Sequence, residues 1–470
     1  MDPPPMNEDQ AVPTAEVMDT SEKQSNDEQL RTVLDETSTL LGLPEPNQQE
    51  APEASSLDKC NSPSETQQKP EGERLAATKP DVSTASTNIK FVQIAQASVQ
   101  FSSSHQEQYL KGCKWAPDGT CILTNNSDNA LRIYNLPSFL YEQSSILPSE
   151  PELVPQAVVI KEGGLILDYC WYPQMSSMDA ATCCLLSCSS KCPVHLWDAF
   201  DGRLRASYNP INRVDEVEGC YSLAFSADGQ KFYCGSKNFV RVFDLCRPGR
   251  DCETRELKHH KTPAEYRQPG IVSAIAVNYE NPKLYAVGSY RKSVGLYSEP
   301  DGRFVSLLHG HKGGITQLSF SADGLKLFSG ARSDNEIICW DIRSPGCILA
   351  ILQRNVATSQ RVQFDLNPDG LLYSGNTNGL VTVYDVNQAS GETCPVGVKR
   401  SWKASGDCIN GVSLHPTLPI VATASGQRHF VAFEKDDDDE EEEEGEKEEI
   451  ECCLKMWWLT EDKSFCDNNL

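Results

Sequence analysis

The sequence predicts an all-β fold, a seven-bladed β-propeller, and three observations predict it. Short alternating stretches recur along the chain, many followed by a tight turn such as Ala322-Asp323-Gly324. They group into seven units of about 40–45 residues. The unit at 308–343, LHGHKGGITQLSFSADGLKLFSGARSDNEIICWDIR, opens on Gly310-His311 and closes on Trp340-Asp341. A Gly-His start and a Trp-Asp end at that spacing mark a WD repeat, so the fold class is a seven-bladed WD-repeat β-propeller with a disordered acidic N-terminal tail.

Each part of that unit has a physical reason. Residues 315–320 alternate, so one face of an inner strand packs on the next blade. Asp323-Gly324 supplies the positive φ that a tight hairpin needs. A second strand follows at 325–329, and a third ends at Trp340-Asp341. His311, Ser329, Asp334 and Trp340 are expected to join as a hydrogen-bonded tetrad that pins the loops of the blade. A Ser, a His and an Asp also evoke a hydrolase triad. No G-x-S-x-G elbow is present, however, and Ser329 falls inside a strand. No catalytic residue is assigned and the chain is not expected to be an enzyme, since no nucleotide-binding loop or activated nucleophile is evident.

From the start of the chain, charge is unevenly spread. Of a net charge of −25, residues 1–88 hold 18 acids against 6 bases and residues 434–451 hold 14 against 2, about −12 each, which leaves the rest near −1. A near-neutral body does not exclude a polyanionic partner. The first 88 residues, rich in Pro, Glu, Gln, Ser and Thr, cannot bury enough apolar surface to order and are read as a disordered tail. Within it, residues 27–41 place Leu30, Val33, Leu34, Leu40 and Leu41 near one helical face: either a docking helix or a chance cluster. Ser62-Pro63 and Thr66-Gln67 are candidate phosphorylation sites. The opening MDPPPMNEDQ is not a signal peptide, and no apolar run approaches the ~18 residues of a membrane span. With 19 cysteines, an odd number, the chain is expected in a reducing compartment, cytoplasm or nucleus. Cys183, Cys184, Cys188 and Cys192 lack zinc-site spacing and read as buried small residues, so no metal and no cofactor is expected.

The propeller is expected over 89–459, with residues 460–470 as a C-terminal tail. Residues 91–101, FVQIAQASVQF, precede the first repeat and have no earlier blade to join. They are assigned as the outer strand that closes the last blade, removing an exposed sheet edge. The first repeat has Tyr134-Asn135 in place of Trp-Asp. Others end at Asp198, Asp244, Ser298, Asp341 and Asp385. The last begins INGVSLHPTLPIVATASGQRHF, is interrupted by the insert at 434–451, and resumes as CCLKMWWL. The nine consecutive carboxylates at 436–444 repel one another and must loop out, either as a solvated insert or as a mimic of nucleic acid.

The loops between second and third strands emerge on one face of a propeller. They carry Lys191, Lys237, Arg291 with Lys292, Arg332 and Arg428, so five of seven present a cation. Tyr290 beside the fourth pair can stack a base. The two readings are a polyanion-binding rim and ordinary exposed lysines and arginines. Lys231 and Lys326 are expected on the opposite rim.

Three segments carry a resemblance: residues 109–137 (YLKGCKWAPDGTCILTNNSDNALRIYNLP), 327–343 (LFSGARSDNEIICWDIR) and 401–427 (SWKASGDCINGVSLHPTLPIVATASGQ). Over the propeller, roughly 90–459, the chain resembles the telomerase Cajal body proteins. The resemblance implies an RNA-binding scaffold that binds the CAB-box loop of small Cajal body RNAs and of telomerase RNA. It implies delivery of these RNAs to Cajal bodies, support of telomerase at telomeres, and a scaffold role in DNA repair. Implied partners are dyskerin-containing ribonucleoproteins, coilin and the survival-of-motor-neuron complex. The implied location is nuclear, in Cajal bodies and at telomeres, with some protein in the cytoplasm. No membrane and no small-molecule substrate is expected. The alternative is a substrate receptor of a cullin-type ubiquitin ligase, because Trp340-Asp341-Ile342-Arg343 fits the W-D-x-R element of such receptors.

Overall fold

The computed structural model describes residues 89–98, 108–141, 147–190, 192–212, 214–257, 263, 266–388, 395–428 and 451–461. The N-terminal tail with Ser62, Thr66 and the segment 27–41, the residue Lys191, and nearly all of the acidic insert and C-terminal tail lie outside the described residues.

Strands form seven sheets, each with four antiparallel strands, in sequence order in six of them and with the chain's first strand as the fourth of the seventh. The inner strands, counted from the first repeat, are Leu110–Trp115, Ile166–Trp171, Ser222–Phe225, Val272–Val277, Ile315–Phe320, Phe364–Leu366 and Ile409–Leu414. Blade 5 runs outward from Ile315–Phe320 through Lys326–Ala331 and Glu336–Asp341 to Ile348–Gln353. Its first turn holds Gly324 at φ 67, the left-handed backbone that an Asp-Gly pair supplies. Among the described residues no α-helix occurs, only short 3-10 turns at Ser138–Leu140 and Val386–Gln388.

The ring closes through the chain's first strand. Ile89–Ser98 pairs antiparallel with Cys453–Glu461, from Ile89 opposite Glu461 to Ser98 opposite Cys453. This is the closing strand expected at 91–101, begun two residues earlier. Phe91 then stacks on Trp402 of blade 6, with ring centroids 3.7 Å apart. Two additions were not expected. Glu152–Leu153 adds in parallel to the outer edge of blade 7, and Pro395–Val396 adds to that of blade 5. Each covers backbone groups that an outer strand would leave unpaired.

Cores lie between blades. Tyr233, Tyr285 and Tyr297 stack in series between blades 3 and 4, with centroids 5.1 and 5.7 Å apart. Near the axis, a polar side chain ties the backbone of one inner strand to its neighbour at successive junctions. Ser222 Oγ donates to Val272 O (3.0 Å), Ser273 Oγ to Ile315 O (2.5 Å) and Gln317 Nε2 to Phe364 O (2.6 Å). Asp365 accepts from Leu414 N (2.8 Å), Ser413 Oγ from Trp115 N (3.1 Å) and Asp168 from Leu223 N (2.9 Å). Inner strands have a free edge toward the axis, and these side chains satisfy its buried donors and acceptors.

Candidate nucleic-acid interface

The loops between second and third strands lie against the segments that enter the inner strands, all on one face. Asn238 N donates to Gly270 O (2.8 Å), Tyr290 N to Ile271 O (3.0 Å) and Arg332 N to Gly314 O (3.0 Å). Lys237 bridges to Ile271. The approach is close enough that a Cβ at Gly313 would sit 1.9 Å from Arg332 O, so only glycine fits there. Lys237 and Asn238 thereby join blade 3 to blade 4, and Arg332 against the Tyr290 ring carries the rim sector on to blade 5.

Within that sector the structure brings together Lys237, Tyr290, Arg291, Lys292 and Arg332. All five are exposed, Tyr290 by 39%. The Arg332 guanidinium sits 4.7 Å from the Tyr290 ring centre, which presents cation and aromatic side by side. Among the described residues no carboxylate forms a salt bridge with Lys237, Arg291, Lys292 or Arg332. Lys292 is held at φ 68, where the corresponding turns of blades 1, 3 and 6 use Asn129 (φ 60), Asn238 (φ 69) and Gly379 (φ 75). A lysine in left-handed backbone costs roughly 1–2 kcal/mol. Arg428 is exposed too but stands apart, beside Tyr109 where blade 7 meets blade 1. Burial raises the Tyr109 pKa, and the Arg428 charge opposes that rise.

The loop of blade 5 is anchored differently. Trp340 Nε1 donates to Ser329 Oγ (2.7 Å), Ser329 Oγ lies 2.7 Å from His311 Nε2, and His311 Nδ1 lies 2.9 Å from Asp334 Oδ2. The same Asp334 oxygen accepts Lys312 N at 2.9 Å. Burial alone would raise the Asp334 pKa, but the bonds from His311 and from the Lys312 and Glu336 backbone outweigh it and hold the carboxyl at about 2. All four side chains are consumed by one another, and Ser329 is fully buried within a strand. The arrangement is that of a structural pin.

Other blades vary the pin. In blade 2, Trp197 Nε1 donates to Ser187 (2.8 Å), and Glu162 replaces the histidine, bonded to Ser187 and 3.0 Å from His195 Nδ1. In blade 4, Tyr297 donates to Gln268 Oε1 (2.9 Å), and Gln268 bonds the carbonyls of Val287 and Ser293. Blade 4 therefore holds its loop with neutral groups and places no acid in it.

The axis holds a cluster that the sequence reading missed. Arg361 Nη1, entering blade 6, pairs with Asp168 Oδ1 of blade 2 at 2.9 Å, and its Nη2 donates to Ser273 O of blade 4 at 3.3 Å. Lys114 of blade 1 lies 3.8 Å from the same Asp168 oxygen and donates to Tyr169 O at 2.6 Å. Burial would raise the Asp168 pKa, but the Arg361 and Lys114 charges drive it below the ordinary range. Charged residues inside otherwise apolar inner strands were the available signal. Asp365 is pushed by burial to about 6 despite two backbone N–H bonds and the weaker pull of the Lys114 charge.

Two further sequence features have structural outcomes. Cys183, Cys184 and Cys188 are buried as expected, whereas Cys192, read with them, is only half-buried. Arg343 of the W-D-x-R element folds back on Asp341 with two 3.0 Å bonds. Of the residues read as the opposite rim, Lys231 opens its strand, exposed, while Lys326 donates to Val386 O at 3.3 Å.

Comparison with known proteins agrees with this architecture. The WD domain, G-beta repeat, matches residues 214–244 and 302–341. Telomerase Cajal body protein 1 of Mesocricetus auratus is 51% identical over 328 residues, covering 70% of this chain and 60% of that protein. The Homo sapiens protein of that name is 47% identical over 362 residues, 76% of this chain and 65% of that protein. The Drosophila melanogaster homolog is 39% identical over 338 residues, 70% of this chain and 59% of that protein. The chain thus spans less than two thirds of the length of these curated relatives. It is a WD-repeat β-propeller protein, similar over most of its length to the telomerase Cajal body proteins.

Proposed function

We propose that this chain is a non-enzymatic scaffold that holds a single-stranded RNA loop on the rim formed by blades 3, 4 and 5. The observation that carries the reading is the contiguous set Lys237, Tyr290, Arg291, Lys292 and Arg332, exposed and without carboxylate salt-bridge partners among the described residues. An RNA loop offers splayed bases to stack on Tyr290 and closely spaced phosphates for the cations. Lys292 supports the reading further, since a residue kept in costly backbone at a turn that Asn or Gly fills elsewhere points to use of its ammonium. Arg428, beside Tyr109, is a separate cationic position of the same reading, and Lys191 is kept as a candidate from the sequence alone.

The names of the similar proteins support the finer identity. The RNAs are small Cajal body RNAs and telomerase RNA, read through the CAB-box loop, and the protein works in nuclear Cajal bodies and at telomeres, with a cytoplasmic fraction. Partners are dyskerin-containing ribonucleoproteins, coilin and the survival-of-motor-neuron complex, and a repair-scaffold role belongs to the same reading. Residues 1–88, with Ser62 and Thr66 as phosphorylation sites, precede the propeller at 89–459, and the acidic insert at 434–451 interrupts its last blade. The test is a salt titration of binding to a CAB-box hairpin, with Lys231→Glu on the opposite rim as control. Charge reversal at Arg291 and Lys292 weakens binding and flattens the slope. If Lys231→Glu proves the damaging change instead, the RNA lies on the other face and the assignment is wrong.

A further inference from the structure

The face that carries the cationic rim also opens into the axis. Where the inner strand of blade 1 begins, a cavity of about 140 Å³ has a lining that includes Tyr109, Lys111, Asn125, Tyr169, Gln360 and Arg361, drawn from blades 1, 2, 6 and, through Asn410, 7. It lies on the rim side, because Tyr109 O accepts from Ser127 N (3.0 Å) in the second-to-third-strand loop of blade 1. Four polar atoms of this lining are buried with no hydrogen-bond partner among the described residues: Tyr169 Oη, Gln360 Oε1, Lys111 Nζ and Asn125 Oδ1. Buried polar atoms are nearly always partnered in a folded protein. Lys111 and Asn125 belong to neighbouring paired strands and line one cavity. One is a cationic donor and the other an acceptor.

Their complement is a carbonyl and an N–H on the same edge of one small group. A trans peptide points its C=O and N–H in opposite directions and cannot supply both from one side. The lactam edge of uracil or guanine supplies both. A primary amide side chain has the same edge but no ring to occupy the volume, which is close to the ~150 Å³ that holds one six-membered ring and so favours uracil over the two fused rings of guanine. Tyr109 and Tyr169 add aromatic walls against which a base can lie.

We propose that one lactam-edged base of the bound RNA leaves its stack and enters this axial cavity, accepting from Lys111 Nζ and donating its ring N–H to Asn125 Oδ1. The inference rests on the RNA-loop reading above. It adds a base-specific contact to a rim that by itself recognises charge and stacking. Burial draws the Lys111 ammonium down to about 8, with the Asp128 charge pulling it back up, so the group remains a cation at neutral pH.

The experiment scans a CAB-box hairpin with single abasic substitutions against the wild-type chain, Lys111→Met and Asn125→Ala, measuring Kd by fluorescence anisotropy at fixed salt. Neither substitution removes a hydrogen bond that the side chain makes within the protein, and melting curves confirm folding of each. At one loop position the abasic RNA binds the wild type about tenfold or more weakly. Both variants lose a similar factor on intact RNA and lose little more on that abasic RNA. Replacing the same base by adenine or cytosine reproduces the loss. If intact RNA binds both variants like wild type, or if the abasic loss is the same factor in all three proteins, the cavity does not hold a base. A rim-sensitive salt slope alongside that result leaves the rim reading standing and overturns the cavity alone. Absence of binding by the wild type overturns both.

Discussion

Blades 4 and 5 are neighbours with the same strand order, yet they anchor their rim loops by different chemistry. In blade 5 the loop acid Asp334 is taken up by His311 and by the Lys312 backbone, and the Trp340-Ser329 pair locks the histidine from the other side. Blade 4 anchors itself with Tyr297 and Gln268, both neutral, and its loop Tyr290-Arg291-Lys292 contains no acid. Blade 5 commits His311, Ser329, Asp334 and Trp340 to stability, and of its loop Arg332 faces the rim. Blade 4 anchors its loop without an ion pair in it and leaves that loop cationic and exposed. Adjacent repeats of one architecture can thus pin the same loop by different chemistry.

The comparison breaks most visibly at Trp340. Trp340→Ala in blade 5 is expected to cost about 3–5 kcal/mol of folding stability, measured by denaturant unfolding, with RNA binding falling only as folded protein is lost. A variant that stays fully folded and no longer binds RNA would remove the structural reading of the tetrad.

Acid titration probes the same pin with a smaller effect. The folded pKa of Asp334 is held at about 2, below the ordinary unfolded value near 3.9. Its stabilisation is therefore complete above about pH 4 and is lost as pH falls toward 2, a contribution on the order of 2–3 kcal/mol. Asp334→Asn should flatten the pH dependence of stability over that window. An unchanged slope would mean that the His311 contact contributes little.

Blade 4 should behave in the reverse sense. Tyr290→Ala is expected to weaken RNA binding by about 1–3 kcal/mol with an unchanged salt slope, since stacking releases no counterions. Arg291→Glu with Lys292→Glu should reduce the slope by roughly 0.7 for each phosphate that is no longer neutralised, with little change in melting temperature. The sharpest contrast within the blade is Lys292→Asn. Relief of the left-handed lysine should raise stability by up to about 1 kcal/mol while binding weakens. Gain of stability without loss of binding would show that Lys292 is merely tolerated there. Lys231→Glu on the far rim sets the floor, within about 0.5 kcal/mol for both stability and binding.

Features local to one repeat are legible in the amino-acid order. Period-two alternation, Asp-Gly turns such as that at Gly324 and the Gly-His to Trp-Asp spacing specify the strands of each blade. The unattached strand before the first repeat specifies how the ring closes. The tetrad was legible for the same reason, because His311 to Trp340 lie within one unit. Features that join different repeats emerge only when the ring is built. Arg361 meets Asp168 across 193 positions. Arg332 reaches Tyr290 from the next blade, while Arg428, placed with them by loop position, stands apart. Lys111 and Asn125 share a cavity with residues of blades 2 and 6. Such contacts depend on how seven twisted sheets pack around one axis, which sets how close their inner edges come. Alternation says which face of a strand is buried, but not which distant side chain the closed ring brings against it.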